Sequence, residues 1–366
     1  MRAARCRVRL DKRRDLTLNL TTSSGSWTSR PSALVHVVSK DGTTGTGELA
    51  PLPGYSPDEF DAAYEALSEL EPLEIDPPDY TKPRILLSRI EAMVPRSLPS
   101  ARFALSSAAM DWIGQQAGIP AWELLLTPTD EGKSDSVPLC ALLPKEDPAA
   151  AAKELIAAGY GCVKYKLGTD LKQATSDLKA ISEVLKQAGL GGGCLRLDAN
   201  QGLSAKQLSD ALKALSEYQP DFLEEPLNSE ELVAWLSAGN TSPCALGVDE
   251  SLFSAPSMVK AWFGTLQTRA VVLKPTCLGL ARCLDVADQA RSVGVDVTVS
   301  HCFEGAFGYT AVAAVAIAVA SRKLPSGLAP PGTVGATTKR APPFVAAGYI
   351  TPWATSGLDT EFAVRG

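Results

Sequence analysis

Apolar and polar positions change rhythm near residue 137. Beyond it, short apolar runs alternate with stretches of helical period. Strands are predicted at 137–143, 162–167, 194–197, 221–223, 244–248, 270–273 and 296–299. Helices are predicted at 148–158, 171–187, 204–217, 229–237, 255–263, 278–293 and 306–320. A strand followed by a helix, seven times over, predicts a parallel sheet rolled into a barrel. An eighth strand falls near Leu328, with weak signal. The competing fold is an open doubly wound sheet, but no strand–turn–helix junction carries G-x-G-x-x-G or a P-loop.

The first hundred residues read differently, as a small α+β domain. Residues 34–38 form an apolar strand around His36, Asp41-Gly42 marks a turn, and 46–49 return as the partner strand. The serine-rich stretch 21–29 reads as a loop. Ser56-Pro57-Asp58-Glu59 has the order of a helix start, with a Ser cap, Pro at the first position and acids in the first turn. Residues 100–116 form a helix whose Ala104, Ala108 and Ala109 permit close packing. The expected organisation is a cap over 1–100, a barrel over 101–330, and a segment 331–366 returning to the cap.

Composition narrows the function. Hydrophobic residues are 45% of the 366, charged residues 21%, and the net charge is −6. No broad basic field is available for nucleic acid or anionic lipid. The most apolar helix, 311–320, is too short to span a bilayer. The arginine-rich start lacks the apolar run of a signal peptide. None of the eight cysteines has C-x-x-C spacing, and most lie in apolar runs. They read as free buried thiols, and the expected location is cytoplasmic. A monomer or small homo-oligomer is expected.

The chemistry lies at the C-terminal ends of the predicted barrel strands, where barrel active sites are built. Strand two ends in Lys164-Tyr165-Lys166, whose alternation puts both lysines on one face. Strand three ends in Asp198, strand four in Glu224-Glu225, and strand five in Asp249-Glu250. Strand six ends in Lys274, and strand seven in Ser300-His301. Acids on three consecutive strands repel one another unless a cation neutralises them. Oxygen donors without His or Cys suit a hard ion, Mg²⁺ first and Mn²⁺ second. Such an ion acidifies the α-hydrogen of a bound carboxylate, and its charge, with that of Lys164, lowers the pKa of Lys166 toward that of a working base.

This constellation resembles the enolase superfamily, and within it the lysine-type muconate-lactonizing subgroup. The resemblance is carried by Lys164-x-Lys166, Arg196-Leu197-Asp198-Ala199-Asn200, Glu224-Glu225-Pro226, Asp249-Glu250-Ser251 and Lys274-Pro275-Thr276. It implies a modified TIM barrel, (β/α)7β, under an α+β cap. It also implies Asp198, Glu224 and Asp249 as metal ligands, with Lys166 as the base on a small carboxylate substrate. Lys274 would be the electrostatic group on the opposite face, and Lys164 would tune Lys166. The cap sequence Gly47 to Ser56, with its Pro-Leu-Pro-Gly loop ending in Gly54, is similar to the o-succinylbenzoate synthase branch. Racemases, epimerases and cycloisomerases share the same proton abstraction and remain the alternative. Arg30, Gly54, Asn200, Ser300 and His301 are the expected substrate contacts. For Arg30 the competing expectation is a solvated surface arginine, and for His301 a packed neutral ring. His36 is expected to be structural.

Overall fold

The computed structural model describes residues 4–22, 25–75, 82–127, 135–168, 170–264, 267–330 and 342–360. Its first part is an antiparallel sheet with helices on one side. The strands are β1 (Ala4–Leu10), β2 (Arg14–Thr22), β3 (Gly25–Ser39), β4 (Thr44–Leu49) and β5 (Leu73–Ile75). β1 pairs with β3 and β5, and β3 also pairs with β2 and β4. The helices are α1 (Phe60–Ser68), α2 (Pro83–Glu91) and α3 (Pro99–Ala117).

Two expectations change here. Most of the serine-rich stretch is not a loop. Residues 25–29 continue β3 and pair with β2, with Trp27 opposite Leu20 and Arg30 opposite Leu16. Backbone pairing with a long neighbour outweighs the local turn preference of Ser and Gly. Ser56 does not cap a helix either, because α1 begins at Phe60 with Glu59 at the cap position. The Ser56 hydroxyl instead accepts from the Leu52 backbone at 2.9 Å, closing the 52–56 turn on itself. Asp58 serves another helix: its carboxylate accepts from the Ser100 backbone at 3.1 Å, inside the first turn of α3.

α3 lies directly across β4, as its small residues predict. A Cβ at Gly45 or Gly47 would overlap the carbonyl oxygens of Ala108 and Ala104. Only glycine lets the helix backbone come this close to the strand. His36 is structural as expected, held between Thr46 Oγ1 at 3.1 Å and Asp11 Oδ1 at 3.3 Å.

The second part is the barrel. β6 (Val137–Pro138) precedes it, and β7 (Cys140–Leu142), β8 (Cys162–Lys166), β9 (Leu195–Asp198) and β10 (Leu223–Glu224) follow. β11 (Leu246–Val248), β12 (Thr268–Leu273) and β13 (Asp296–Val299) complete one parallel sheet in sequential order. The ring closes through residues 326–327. Ser326 bridges Leu139, and Gly327 bridges Ser300. This is the indistinct eighth strand, reduced to two bridges.

The outer helices are α4 (Pro148–Ala157), α5 (Leu171–Gln187), α6 (Ala205–Ser216) and α7 (Ser229–Ser237). After them come α8 (Ser251–Ser254), α9 (Val259–Phe263), α10 (Pro275–Leu278), α11 (Leu280–Ser292) and α12 (Ala306–Val319). The expected helix at 278–293 is α11, and a short α10 precedes it, the two separated at Gly279 with φ of +78°. Asp170, Ser204 and Asn228 cap α5, α6 and α7 through their side chains.

β14 (Val345–Ala346) and β15 (Tyr349–Ile350) form a hairpin that pairs with β6. Farther along, Leu358 donates to Asp111 on α3 at 2.8 Å.

Candidate functional site

In an eight-position ring, β8 and β12 stand on opposite walls. Lys166 and Lys274 therefore face each other, with β9, β10 and β11 between them. Register fixes the heights: Lys166 pairs with Asp198, and Asp198 with Glu224. Asp198, Glu224 and Asp249 are each 1% exposed. A tight run of acids and lysines thus spans half the rim.

The lysines have unequal surroundings. Lys164 Nζ lies 2.8 Å from Asp198 Oδ2 and also bonds Glu224. Burial opposes its charge, but the two carboxylates more than offset that and hold its pKa above the usual lysine range. Lys274 donates to Asp249 and to the Tyr55 hydroxyl. It too is pushed up despite burial, by Asp249 first. Lys166 donates to the Asn200 amide oxygen at 2.8 Å, and its nearest carboxylate, Asp198, is 3.8 Å away. Burial pulls its pKa down, and the positive charges of Lys164 and Lys274 pull the same way, against Asp198.

The strand-end neighbours have distinct tasks. Glu225 accepts from the backbones of Asp249 at 2.7 Å and Ser251 at 3.0 Å, and from the Ser251 hydroxyl at 2.6 Å. It holds the end of β11 in place and so fixes Asp249. Burial pushes its carboxyl up to about 7, and that of Glu250 up to about 8. Arg196 faces the same side as Asp198 but sits two residues lower. It donates to Asp221 at 3.2 Å and to the Pro325 carbonyl at 3.0 Å, so it belongs to the barrel floor.

The residues fit a hard divalent ion. Glu224 Oε1 and Asp249 Oδ1 are buried with no hydrogen-bond partner, which is costly for a carboxylate unless a cation completes it. The donors are all oxygens. Among the described residues no trio of acids, histidines or cysteines is gathered into a ready cage. The carboxylates are drawn instead onto the ammonium groups of Lys164 and Lys274, which neutralise them.

The remaining expected contacts divide. Asn200, with φ of +44°, is at the centre, bonded to Lys166 and to Asp198. Gly54, with φ of +71°, turns the loop that aims Tyr55 at Lys274. Arg30 is not on the surface: it is fully buried, and one guanidinium nitrogen donates to the Cys302 carbonyl. Its Nε and Nη2 have no partner. Pairing along β3 carried it inward, which local composition could not reveal. Ser300 donates to the Gly327 carbonyl at 3.1 Å, at the barrel seam. His301 has both ring nitrogens engaged by backbone, Ala329 O at 3.1 Å and Phe303 N at 3.0 Å. Burial lowers its pKa, which matches the packed neutral ring.

Glu48 and Tyr55 entered the sequence reading only within the Gly47 to Ser56 cap motif, with no role of their own, and Glu91 did not enter it. Glu48, from β4, accepts from the Gly308 backbone in the first turn of α12 at 2.8 Å. Glu91, from α2, accepts from the Ala281 backbone in the first turn of α11 at 2.7 Å. Side chains at Gly305 and Gly279 would collide with Glu48 and Glu91 respectively, and one at Gly308 would collide with Glu304. For Glu48 and Tyr55 the available signal was that contiguous motif.

Comparison with known proteins agrees with this fold. The sequence family described as enolase C-terminal domain-like matches residues 147–364, more than half of the chain. The hydrophobic dipeptide epimerase of Enterococcus faecalis is 27% identical over 314 residues, covering 81% of this chain and 82% of that one. The o-succinylbenzoate synthase of Thermosynechococcus vestitus is 26% identical over 297 residues, covering 80% and 83%. Among solved structures, a dipeptide epimerase from Methylococcus capsulatus, complexed with Mg and the dipeptide L-Arg-D-Lys, superposes with a TM-score of 0.79. It is 23% identical, covers 98% of this chain and 99% of its own, and supports the fold. Among the described residues no helix is long and apolar enough to cross a membrane. With its barrel, its cap and the family match over most of the barrel, the chain belongs to the enolase superfamily.

Proposed function

We propose that this chain is an o-succinylbenzoate synthase. It would remove water in a syn sense from 2-succinyl-6-hydroxy-2,4-cyclohexadiene-1-carboxylate, giving 2-succinylbenzoate for menaquinone biosynthesis. The observation that carries this reading is the inequality of the two opposed lysines. Lys166, beside an amide and burdened by burial and neighbouring ammonium groups, is suited to be the neutral base. Lys274, clamped by Asp249 and Tyr55, is suited to remain a fixed cation. One base and one cation serve an elimination on a single face, whereas epimerisation needs two groups that exchange protons from opposite faces.

Lys166 takes the α-proton and delivers a proton to the departing hydroxyl on the same side. Lys274 faces the developing enediolate from the other wall and offsets its charge. Lys164 keeps the Lys166 pKa low by proximity. Held by Asp198, Glu224 and Asp249, Mg²⁺ would receive the substrate carboxylate and stabilise its second negative charge. The substrate is a dianion, and Arg30 offers two unpartnered guanidinium nitrogens near the strand-seven end for its succinyl carboxylate.

The second reading, racemisation or epimerisation of acylated amino acids or dipeptides, is favoured by the epimerase relative, 27% identical against 26% for the synthase. Parallel assays with the succinyl-cyclohexadiene substrate, N-succinyl amino acids and dipeptides separate the two. Turnover of only the latter pair would refute the synthase reading.

A further inference from the structure

The cap reaches the reacting groups through one side chain. Tyr55 stands on a loop that three bonds hold rigid: Leu52 N to Ser56 Oγ at 2.9 Å, Ser56 N to Leu52 O at 2.9 Å, and Trp27 Nε1 to Pro53 O at 3.0 Å. The left-handed turn at Gly54 then aims the ring inward. Its edge packs on Phe253 with centroids 5.7 Å apart, and its hydroxyl accepts from the Lys274 ammonium. Among the described residues, nothing from the cap is hydrogen-bonded to Lys166.

We propose that Tyr55 is a positioning residue that acts on Lys274 alone. Together with Asp249 it defines where the Lys274 ammonium sits, and so which face of the substrate meets a cation and which meets a base. This rests on the opposed-lysine reading of the site and adds to it a cap residue that makes the two walls unequal. An ammonium with three hydrogens and two fixed acceptors keeps one direction for the substrate. Without the phenol oxygen it can swing toward solvent or toward Asp249.

The test is Tyr55→Phe, which keeps the ring and its contact with Phe253. Limited acetylation of the intact protein, read by peptide mass, compares Lys274 with Lys166. Lys274 should label about 3- to 10-fold faster than in the parent, and Lys166 should stay within about twofold, because a lost fixed hydrogen bond frees only the group that made it. Equal labelling of Lys274 in both proteins would overturn the proposal. So would a parallel rise at both lysines, which would mean a loosened site. A second readout is α-proton exchange of an N-succinyl amino acid in deuterated water, with Lys166 as the base. Displacing the opposing Lys274 cation should slow that exchange about tenfold, and unchanged exchange would overturn the proposal. Synthase assays of the parent test the proposed function separately, so either idea can fail while the other stands.

Discussion

Lys166 Nζ lies 2.8 Å from Asn200 Oδ1, and Asn200 in turn donates its backbone N–H to Asp198 at 2.9 Å. The expected base thus bonds a neutral amide, with its nearest acid, Asp198, farther off at 3.8 Å. Its pKa is lowered, so the neutral amine gains population as pH rises and activity should rise on the acid side of the profile. Asn200→Asp places a new negative charge beside the ammonium and raises its pKa. The acid limb of kcat/KM should therefore move to higher pH, by about one unit. An unmoved limb would show that Lys166 is not the group titrating there.

Removing either lysine separates the two roles. Lys166→Ala should lower turnover by at least about 10³-fold with an unchanged circular dichroism spectrum. Lys274→Ala should lower it by roughly 10²-fold, the scale of one lost electrostatic group. If both fall equally and each loses exchange from only one substrate face, the two lysines are interchangeable bases and the epimerase reading gains.

A chelator should abolish activity, and Mg²⁺ should restore it. Independently of turnover, Mg²⁺ at about 100 times its Kd should stabilise the protein by about 2.7 kcal/mol, read as a rise in Tm. Glu224→Gln should remove most of that rise, since it deletes a carboxylate with a buried, unpartnered oxygen. A full thermal response in this variant would place the ion elsewhere.

Asp58 gives a pH signature far from the rim. It is 5% exposed, and burial pushes its carboxyl up to about 6, against the bonds it accepts from Ser100. A pKa raised in the folded state means stability is greatest when the group is protonated and is lost as pH climbs through about 6. The swing is on the order of 2–3 kcal/mol. Asp58→Asn should flatten the stability curve between about pH 4 and 6 in urea titrations. A curve with the parent slope would refute the assignment.

Gly47→Ala should destabilise by about 2–4 kcal/mol, because the added methyl meets the Ala104 carbonyl and pushes α3 off β4. Gly42→Ala is the control for left-handed strain alone, since no atom crowds that position. Equal midpoints in denaturant for the two variants would remove packing as the cause.

Much of this was already legible along the chain. Seven apolar runs spaced by helical stretches can bury both faces only in a parallel sheet covered by helices, which decided the barrel. Period-two alternation put Lys164 and Lys166 on one face, and strand-end position put Asp198 and Glu224 at one height, while Asp249 lies two residues beyond Gly247, the partner of Glu224. Those readings depend on spacing within single elements, and spacing is what a sequence records. Tertiary structure decided whatever depends on contact between distant segments. It buried Arg30, tied both nitrogens of His301 to backbone, sent Asp58 to α3, and brought Tyr55 to Lys274 across 219 residues. It also made the two lysines unequal, because their neighbours come from different strands and from the cap. Local pattern says which face a side chain takes, whereas only packing decides what it meets there.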